Sequence, residues 1–292
     1  MQNRKQIENS IKLITSLKRL ATAYEQISVT KMQRARGGVL SSRSYLEELT
    51  KVFNQVKSNY NEQVQKLLVK KHHDGSVTYS TLNKNGQSIA ILLSTNSKLH
   101  GDIGRKVFRQ FVDNLKAHNP DIYIIGKVGK ELFDAAGVEK EYKYIDFPDL
   151  TSEREFLVPI SEVLEQYENV TVYYGKFVNV LTQSASATNI SGTPPIGNVD
   201  YQPTSVHFYF EPSLETVLQF FESQIFASLL KQTLHESALS NDASRIQQME
   251  LALENIEDSS LKLINAKRKI KKRVDNAKQI QRLLGRRLWH QA

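Results

Sequence analysis

The sequence predicts an α/β protein in which two long helices, one from each end of the chain, pair as an antiparallel coiled coil around an inserted α/β domain. Residues 1–71 and 213–292 contain no proline and repeat apolar residues at helical spacing, whereas all seven prolines lie between them. Each long helix is apolar along one stripe, so pairing the two buries both stripes. We therefore predict an N-terminal coiled-coil helix over 1–71, an α/β globular domain over 72–212 and a C-terminal coiled-coil helix over 213–292.

The N-terminal region carries a helical stripe that is interrupted once. The stripe consists of Ile7, Ile11, Ile14, Leu17, Leu20, Tyr24 and Ile27, and it continues through Leu46, Leu49, Val52, Phe53, Val56 and Tyr60. Gly37 and Gly38 separate the two halves, and glycine costs about 1 kcal/mol in a helix interior. We expect a bend or a break at this glycine pair.

The C-terminal region contains a sustained seven-residue repeat. Its main column is Met249, Ile256, Leu263, Ile270, Ala277 and Leu284, and a second column includes Ile246, Leu253 and Val274. Such a repeat indicates a helix packed along one seam of a left-handed supercoil, here against the Ile7–Ile27 stripe. Ser260 and Lys267 fall in the second column, where polar residues fix register at some cost in stability.

The middle region alternates short β-rich runs with helical segments. The predicted strands are Ile89–Leu93, Ile122–Ile125, Val170–Tyr174, Phe177–Leu181 and Val206–Phe210. The predicted helices are Ile103–Ala117, Gly129–Ala136 and Glu153–Tyr167, and Asn189–Pro203 has loop composition. This alternation indicates a Rossmann-like α/β domain whose sheet is at least partly parallel.

Positive charge is concentrated at the C-terminal end. Residues 261–292 contain eleven Lys or Arg residues and one acid, Asp275, whereas the other 260 residues contain twenty-eight basic and thirty acidic residues. A charge of +10 on one helix marks a surface that meets an acidic partner. Nucleic acid is one such partner, but Trp289 is the only aromatic residue there and the apolar column runs through the segment, so we do not expect nucleic-acid binding.

The sequence contains no pattern that indicates catalysis, a cofactor or a metal site. Cysteine is absent, which excludes disulfides and thiolate ligands. The segments GKVGKE (126–131) and GDIG (101–104) lack the spacing of a phosphate-binding loop and read as helix entries. His72 and His73 are adjacent and read as a solvated loop. With no secretory signal or long apolar stretch, we expect a soluble chain that contacts a membrane only through partners.

Both ends of the chain carry motifs of one known family. In the stretch KMQRAR, Lys31, Met32, Arg34 and Ala35 match the N-terminal helix of that family. The segment HESALSNDASRIQQMELALEN matches its most recognisable stretch at Glu236, Ser237, Ala243, Arg245, Met249, Ala252 and Asn255. Asn265, Arg268 and Asp275 are similar to positions of its C-terminal helix. By these motifs the chain resembles the γ subunit, or central rotor shaft, of F-type rotary ATPases.

This resemblance implies a shaft that turns inside a hexamer of α- and β-type nucleotide-binding subunits and has no active site of its own. It implies that rotation couples ATP hydrolysis or synthesis to ion translocation through a membrane rotor ring, with a small companion subunit at the foot. The protein would be peripheral, at the cytoplasmic face of a membrane. The structural or coupling positions that it implies are Lys31, Met32, Arg34, Arg245, Met249, Asn255, Arg268, Lys269, Arg273 and Asp275.

Several positions depart from the family pattern. The family's SDRGLCGG motif corresponds to STNSKLHGD here, which keeps Ser94, Leu99 and Gly101. Lys269 stands where the family usually has Gln, and Arg273 stands where it has Thr. These differences point to a specialised member. Two alternatives stay open: the shaft of an ATP-driven motor not devoted to synthesis, and a basic coiled-coil protein that binds nucleic acid or acts as a scaffold.

Overall fold

Two long helices and a five-stranded sheet form most of the described chain. A computed structural model describes residues 4–60, 69–71, 77–79, 84–117, 119–146, 153–191 and 209–289. The helices are α1 (Arg4–Asn59), α2 (Ile103–Ala117), α3 (Lys127–Ala135), α4 (Glu153–Leu164) and α5 (Leu214–Trp289). The strands are β1 (Val69–Lys71), β2 (Val77–Tyr79), β3 (Ser88–Leu93), β4 (Asp121–Ile125), β5 (Lys143–Ile145), β6 (Asn169–Phe177) and β7 (Gln183–Asn189).

The main sheet is mixed and mostly parallel, as predicted. Its strand order is β5-β4-β3-β6-β7, and only β7 pairs antiparallel with its neighbour. Ile91 of β3 lies between Tyr123 of β4 and Val172 of β6. β1 and β2 form a separate antiparallel pair. The alternation of strands and helices in the sequence therefore led to the correct class of sheet.

Helices cover both faces of this sheet. One face packs against α4 and α5, whose contributions to the core include Leu164, Phe226, Leu230 and Leu234. The other face packs against α2 and α3, where Phe111 lies 5.3 Å from the ring of Tyr173. Three residues of α5 thus belong to the core of the α/β domain, although the predicted division places α5 outside it. The predicted boundary at residue 212, between the α/β domain and the C-terminal helix, stays a prediction.

The contacts within the chain define two compact units, and α1 and α5 pair in each. One unit is Thr30–Ser244, and the other combines the residues up to Val29 with those from Arg245 onward. In the first unit, Phe53 and Val56 of α1 pack against Leu218, Phe221 and Ile225 of α5. A smaller cluster joins Ala35 and Val39 of α1 to Leu239 of α5.

In the second unit, two ion pairs fix the direction of the helices. Lys18 Nζ lies 2.6 Å from Glu257 Oε1, and Lys267 Nζ lies 3.5 Å from Glu8 Oε1. Ten residues forward along α1 correspond to ten residues backward along α5, so the helices run antiparallel. The predicted antiparallel coiled coil is confirmed, and Lys267, a polar residue of the second column, takes part in the pairing.

The inward face of α1 differs in part from the predicted stripe. The buried positions Ile7, Ala21, Ser28, Ala35 and Ser42 lie at multiples of seven residues. In contrast, Leu17, Leu20 and Ile27 are 44%, 56% and 48% exposed, so the prediction that these three line the seam is wrong. Four of these five inward side chains are alanine or serine, and Ile7 is the one large residue.

Helix α1 passes through Gly37 and Gly38 without a break, so of the two expectations only a bend stays a prediction. The two glycines differ in their surroundings. A Cβ atom built on Gly38 would lie 2.6 Å from His235 Cε1, whereas one built on Gly37 would meet nothing within 4 Å. Gly38 is therefore the position at which the His235 ring of α5 packs directly on the backbone of α1.

The C-terminal column is covered over only part of its length. Met249 is buried and Ile256, Leu263 and Ile270 are half-buried, but Ala277 is exposed, as is every side chain from Lys271 to Leu283. The predicted pairing is therefore wrong at Ala277, and the side chain of Leu284, the last residue of the column, lies outside the described residues. Helix α1 begins at Arg4, and its Glu8 already pairs with Lys267, so little of α1 remains to cover the end of α5.

Other predicted boundaries also change. α1 ends at Asn59, and Val69–Lys71 form a strand instead of the end of a helix over 1–71. The strand predicted at Phe177–Leu181 is a turn after β6, in which Asn179 Oδ1 accepts hydrogen bonds from the amides of Leu181 and Thr182. Strands β5 and β7 were not predicted, and Asn189 ends β7. His72, His73, residues 192–203 and residues 206–208 lie outside the described residues.

None of the helices in the described part of the chain has a window both long and apolar enough to cross a membrane.

Replacing Gly38 by Ala should destabilise the protein. The added methyl group would lie 2.6 Å from the buried His235 ring, and overpacking of this kind costs about 1–3 kcal/mol. The matched control is Gly37→Ala, which has open space and should stabilise α1 by up to about 1 kcal/mol. Urea unfolding of both variants measures the difference. Equal stabilities would show that the His235 ring does not pack on α1.

Replacing Leu263 by Asp should weaken the helix pair. Leu263 is half-buried in the column that faces α1, and replacing its apolar contacts by a charge should cost about 0.5–3 kcal/mol. Leu261 is 60% exposed two residues away, so Leu261→Asp is the control with the same chemical change. Thermal unfolding followed by circular dichroism should show a lower midpoint for Leu263→Asp alone. Identical midpoints would mean that the column does not face a partner helix.

Candidate functional site

The positions that the resemblance singles out lie on two helices and fall into a buried group and an exposed group. Lys31, Met32 and Arg34 lie on α1, and the other seven lie on α5. Arg245 and Met249 are buried and Met32 is half-buried. The others are exposed: Lys31, Arg34, Asn255, Arg268, Lys269, Arg273 and Asp275.

Arg245 joins α5 to α1 in the unit that contains both chain ends. Its side chain is only 4% exposed, and its guanidinium carbon lies 5.9 Å from the centroid of the Tyr24 ring. A cation over an aromatic face at this distance is attracted by the ring's negative face. Met249, one helical turn further, is also buried in the seam. These two predicted residues are therefore buried within the unit, and their role in holding the helix pair together stays a prediction.

Met32 is the predicted residue that packs between α1 and α5 in the unit Thr30–Ser244. It packs against the cluster of Ala35, Val39 and Leu239, to which Phe177 at the end of β6 also contributes. Lys31 and Arg34, its neighbours on α1, point outward. The KMQRAR stretch thus combines one inward residue with two cations on the surface.

The exposed positions of α5 form a basic surface toward its C-terminal end. Arg268, Lys269 and Arg273 are exposed, and Asp275 is the only acid among residues 261–292. Asn255 lies nearer the middle of the helix, and its Nδ2 donates to the carbonyl oxygen of Leu251 at 2.9 Å. Apolar side chains are exposed on the same segment, with Ile280 at 57% and Leu283 at 65%. The surface therefore offers charge and apolar area together.

A buried carboxylate, which the predicted set did not include, ties three elements together. Glu236 of α5 accepts hydrogen bonds from Arg43 Nη2 of α1 at 2.9 Å, from Gln232 Nε2 at 3.1 Å and from the hydroxyl of Tyr174 on β6 at 3.2 Å. Burial raises the pKa of Tyr174, which keeps its hydroxyl protonated as a donor. Glu236 matched the family pattern in sequence, but nothing in the sequence pointed to Arg43 or Tyr174 as its partners.

The glycine-containing segment 126–131 does not form a phosphate-binding loop. The first amides of α3 already have acceptors: Lys127 N donates to Asn96 Oδ1, Val128 N to the Thr95 carbonyl and Gly129 N to Ser94 Oγ. These amides are consequently not available to wrap a phosphate group. Among the residues that the structure describes, no cluster of three or more His, Asp or Glu side chains is placed to hold a metal ion.

Comparisons with known proteins agree with this arrangement. The family profile described as ATP synthase matches residues 3–282. The chain is 23% identical over 275 residues to the ATP synthase gamma chain of Staphylococcus carnosus, covering 88% of this chain and 89% of that one. It is 24% identical over 277 residues to the ATP synthase gamma chain of Ruthia magnifica, covering 89% and 91%.

Solved structures show the same fold. The central stalk and c-ring structure of the Tetrahymena thermophila mitochondrial ATP synthase contains a chain with a TM-score of 0.56 and 19% identity, covering 80% of this chain and 99% of that chain. The Euglena gracilis mitochondrial ATP synthase contains one with a TM-score of 0.52 and 15% identity, covering 94% and 92%. With the profile matched over nearly the whole chain and gamma chains as its relatives, this chain belongs to the ATP synthase γ-chain family.

Proposed function

We propose that this protein is the central rotating shaft of an F-type ATPase, a γ-like subunit that couples ATP hydrolysis or synthesis in a nucleotide-binding hexamer to rotation. Its partners are α- and β-type ATPase subunits around the shaft, with a small companion subunit and a membrane rotor ring at the α/β domain. Rotation is then coupled to ion translocation through the ring. The chain itself is non-catalytic, and the complex lies at the cytoplasmic face of a membrane.

The observation that carries this proposal is the uncovered end of α5. From Lys271 to Leu283 every side chain of the helix is exposed. This segment is basic, and it also exposes apolar side chains such as Ile280. Exposed apolar side chains beside a concentrated positive charge mark a surface that a partner covers, so we expect this end to be surrounded by a partner surface. A sleeve of larger subunits with acidic loops supplies such a surface on every side.

In this proposal the predicted positions have two different roles. Arg268, Lys269, Arg273 and Asp275 meet the hexamer from the basic end of α5, while Lys31, Arg34 and Asn255 contact it further along the helices. Arg245, Met249 and Met32 keep α1 and α5 in register, so that one face of the shaft differs from another. Each catalytic site then meets a different face, and ATP binding and release bias which rotational position has the lowest free energy.

A specialised motor is the second candidate, and Lys269 and Arg273 favour it. These exposed cations replace the Gln and Thr that the γ pattern usually has, and they enlarge the positive surface beside Arg268. In such a motor the hexamer would turn the shaft by ATP hydrolysis without a membrane ring. Both candidates share the shaft and the hexamer and differ in what the foot of the shaft drives.

Purification of the native complex should yield one copy of this chain for each hexamer of larger ATPase subunits. One shaft fills one central channel, so the stoichiometry follows from geometry. Native mass spectrometry of the complex measures the ratio and identifies ring and companion subunits. Hexamers with no ring would favour the specialised motor, and a chain recovered without any ATPase subunit would contradict both candidates.

Reversing the charge of the basic end should lower ATPase activity of the reconstituted complex sharply. Changing Lys269, Lys271, Lys272 and Arg273 together to Glu places like charges opposite acidic loops, and added salt should soften the effect. Each single change to Ala should alter the rate little, because an exposed pair contributes about 0–1 kcal/mol.

The matched control for this reversal exchanges Lys for Arg and Arg for Lys at the same four positions, which conserves charge. A parallel gel shift with duplex DNA at about 150 mM salt tests the nucleic-acid alternative. An unchanged ATPase rate in the reversed variant, combined with strong duplex binding by the parent, would overturn the shaft assignment of this segment.

A further inference from the structure

Two glycine-containing segments that the sequence excluded as phosphate loops contribute to one cavity. Gly101 and Gly104, at the start of α2, and Val128 and Gly129, at the start of α3, line a cavity of about 380 Å³. The cavity lies within the unit Thr30–Ser244 and is separate from the basic end of α5. The proposed shaft function makes no use of it.

The cavity occupies the place where open parallel sheets bind ligands. Leu92, Leu93 and Ser94, at the carboxyl end of β3, form part of its lining. β3 has β4 on one side and β6 on the other, so the direction in which successive strands are added reverses at β3. Crevices outside the carboxyl ends of strands at such a reversal are the usual ligand sites of this architecture.

A larger depression at the opposite end of the same strands provides a contrast. It has a volume of about 860 Å³ and is lined by Ser88, Asp121 and Asn169, which begin β3, β4 and β6. The amino ends of parallel strands are not where this architecture binds ligands. Position relative to the sheet therefore favours the smaller cavity despite its size.

The walls of the smaller cavity are suited to a molecule with an apolar body. Val107, Phe108, Val128 and Leu132 contribute apolar side chains. A volume of about 380 Å³ falls at the lower end of the range for small-molecule sites, roughly 300–1,000 Å³. A single ring or a short branched chain fits this space better than a large cofactor.

Charged side chains in the lining leave a surplus of positive charge. Lys98 Nζ lies 2.8 Å from Glu131 Oε2, and the hydrogen bond from Lys98 lowers the pKa of Glu131, which favours its carboxylate form. Arg105 adds a second cation to the lining. One unbalanced positive charge favours an anionic ligand over a neutral one.

His100 gives the polar side of the cavity a fixed geometry. Its Nδ1 donates to the carbonyl oxygen of Asn241 on α5 at 2.8 Å, and its Nε2 lies 3.3 Å from Ser97 Oγ. Ser244 Oγ donates to the carbonyl oxygen of His100 at 2.7 Å. These bonds anchor the loop between β3 and α2 to α5, so the cavity has a built wall beside Asn241.

Gly175 of β6 is a further lining residue. Behind it lies the buried hydroxyl of Ser240 on α5, and a Cβ atom on Gly175 would lie 2.7 Å from that oxygen. A side chain at position 175 would therefore collide with α5, and glycine keeps this wall of the cavity close to the helix.

We infer that this cavity binds a small organic anion, in which one phosphate or carboxylate group meets Arg105 and Lys98 and an apolar body packs against Val107, Phe108 and Leu132. This inference is independent of the shaft function. The bound molecule would sit between α2, α3 and the β3 loop and stabilise the α/β domain.

The probe for the test is 4-fluorophenyl phosphate, which combines one anionic group with one ring. Titration of the full-length free chain, followed by ¹⁹F NMR, should show one saturable site. Two related probes separate the contributions: neutral 4-fluorobenzyl alcohol and inorganic phosphate should each bind at least tenfold more weakly. Equally tight binding of the neutral ring would overturn the anionic class of ligand.

Two variants place the probe in this cavity. A Cβ atom on Gly104 would meet nothing within 4 Å, so Gly104→Leu should fill the cavity without strain and weaken binding at least tenfold. Gly37→Leu is the matched control, because Gly37 also lies in a helix with open space and is not among the lining residues. Arg105 is exposed, so Arg105→Gln should keep the fold and also weaken binding at least tenfold.

These binding measurements use the free chain without a hexamer, so their result does not depend on whether the shaft proposal is correct. Saturable binding by the parent and by Gly37→Leu, lost in Gly104→Leu and weakened in Arg105→Gln, would support the site. Absence of saturable binding by the parent, or binding by Gly104→Leu equal to that of the parent, would overturn it.

Discussion

The structure is organised around one helix, α5, whose packing partners change along its length. Between Phe221 and Arg245 most of its side chains are buried or half-buried, because α1 lies on one side and the sheet on another. From Ile246 to Ile270 only one seam is covered, and the seven-residue repeat alone describes it. Beyond Ile270 nothing in the described chain covers it. The same helix is therefore a core element, half of a coiled coil and a free surface in succession. Each change in sequence pattern along α5 follows from a change of neighbour.

Polar contacts determine how the helices fit within each unit. Apolar seams of similar shape tolerate slippage by a turn, whereas a buried charge has a partner in one register only. Glu236 is satisfied when Arg43 of α1 and Tyr174 of β6 both reach it. The close contact of His235 with Gly38 adds a steric requirement at the neighbouring turn. Such groups add little net stability, since desolvation offsets much of their attraction. We infer that their main effect is specificity of alignment, which a shaft whose faces must differ requires.

The sequence predicted those parts of the fold that are set by local periodicity and missed those set by distant partners. The helix at Ile103–Ala117 and the buried strands at Ile89–Leu93 and Ile122–Ile125 match the structure because continuous apolar runs and helical spacing are local signals. Strand β7 was missed because QSASATN consists of small, polar residues that become a strand only by pairing with β6. We predicted Leu17 and Leu20 on the inward face of α1 because they are large apolar residues at helical spacing. The helices instead meet over Ala21 and Ser28, whose spacing of seven was present in the sequence. In the site, exposed basic positions were predictable from charge alone, whereas the pairing of Arg43 with Glu236, 193 residues apart, was not.

The exposed apolar residues of the helix pair bear on what surrounds it. Leu13, Leu17, Leu20 and Ile27 are exposed on α1 at spacings typical of one helix face, a pattern that in an isolated helix would indicate a seam. On α5, Leu261 and Ile280 are exposed in the same unit. Apolar area on several sides cannot be covered by one further helix, which would pack along a single stripe. It is compatible with a partner that encloses the helices, and the surplus of lysine and arginine requires that partner to present acidic groups. A ring of larger subunits satisfies both conditions, whereas a nucleic-acid duplex satisfies only the second, because phosphates offer no surface on which leucine and isoleucine can be buried.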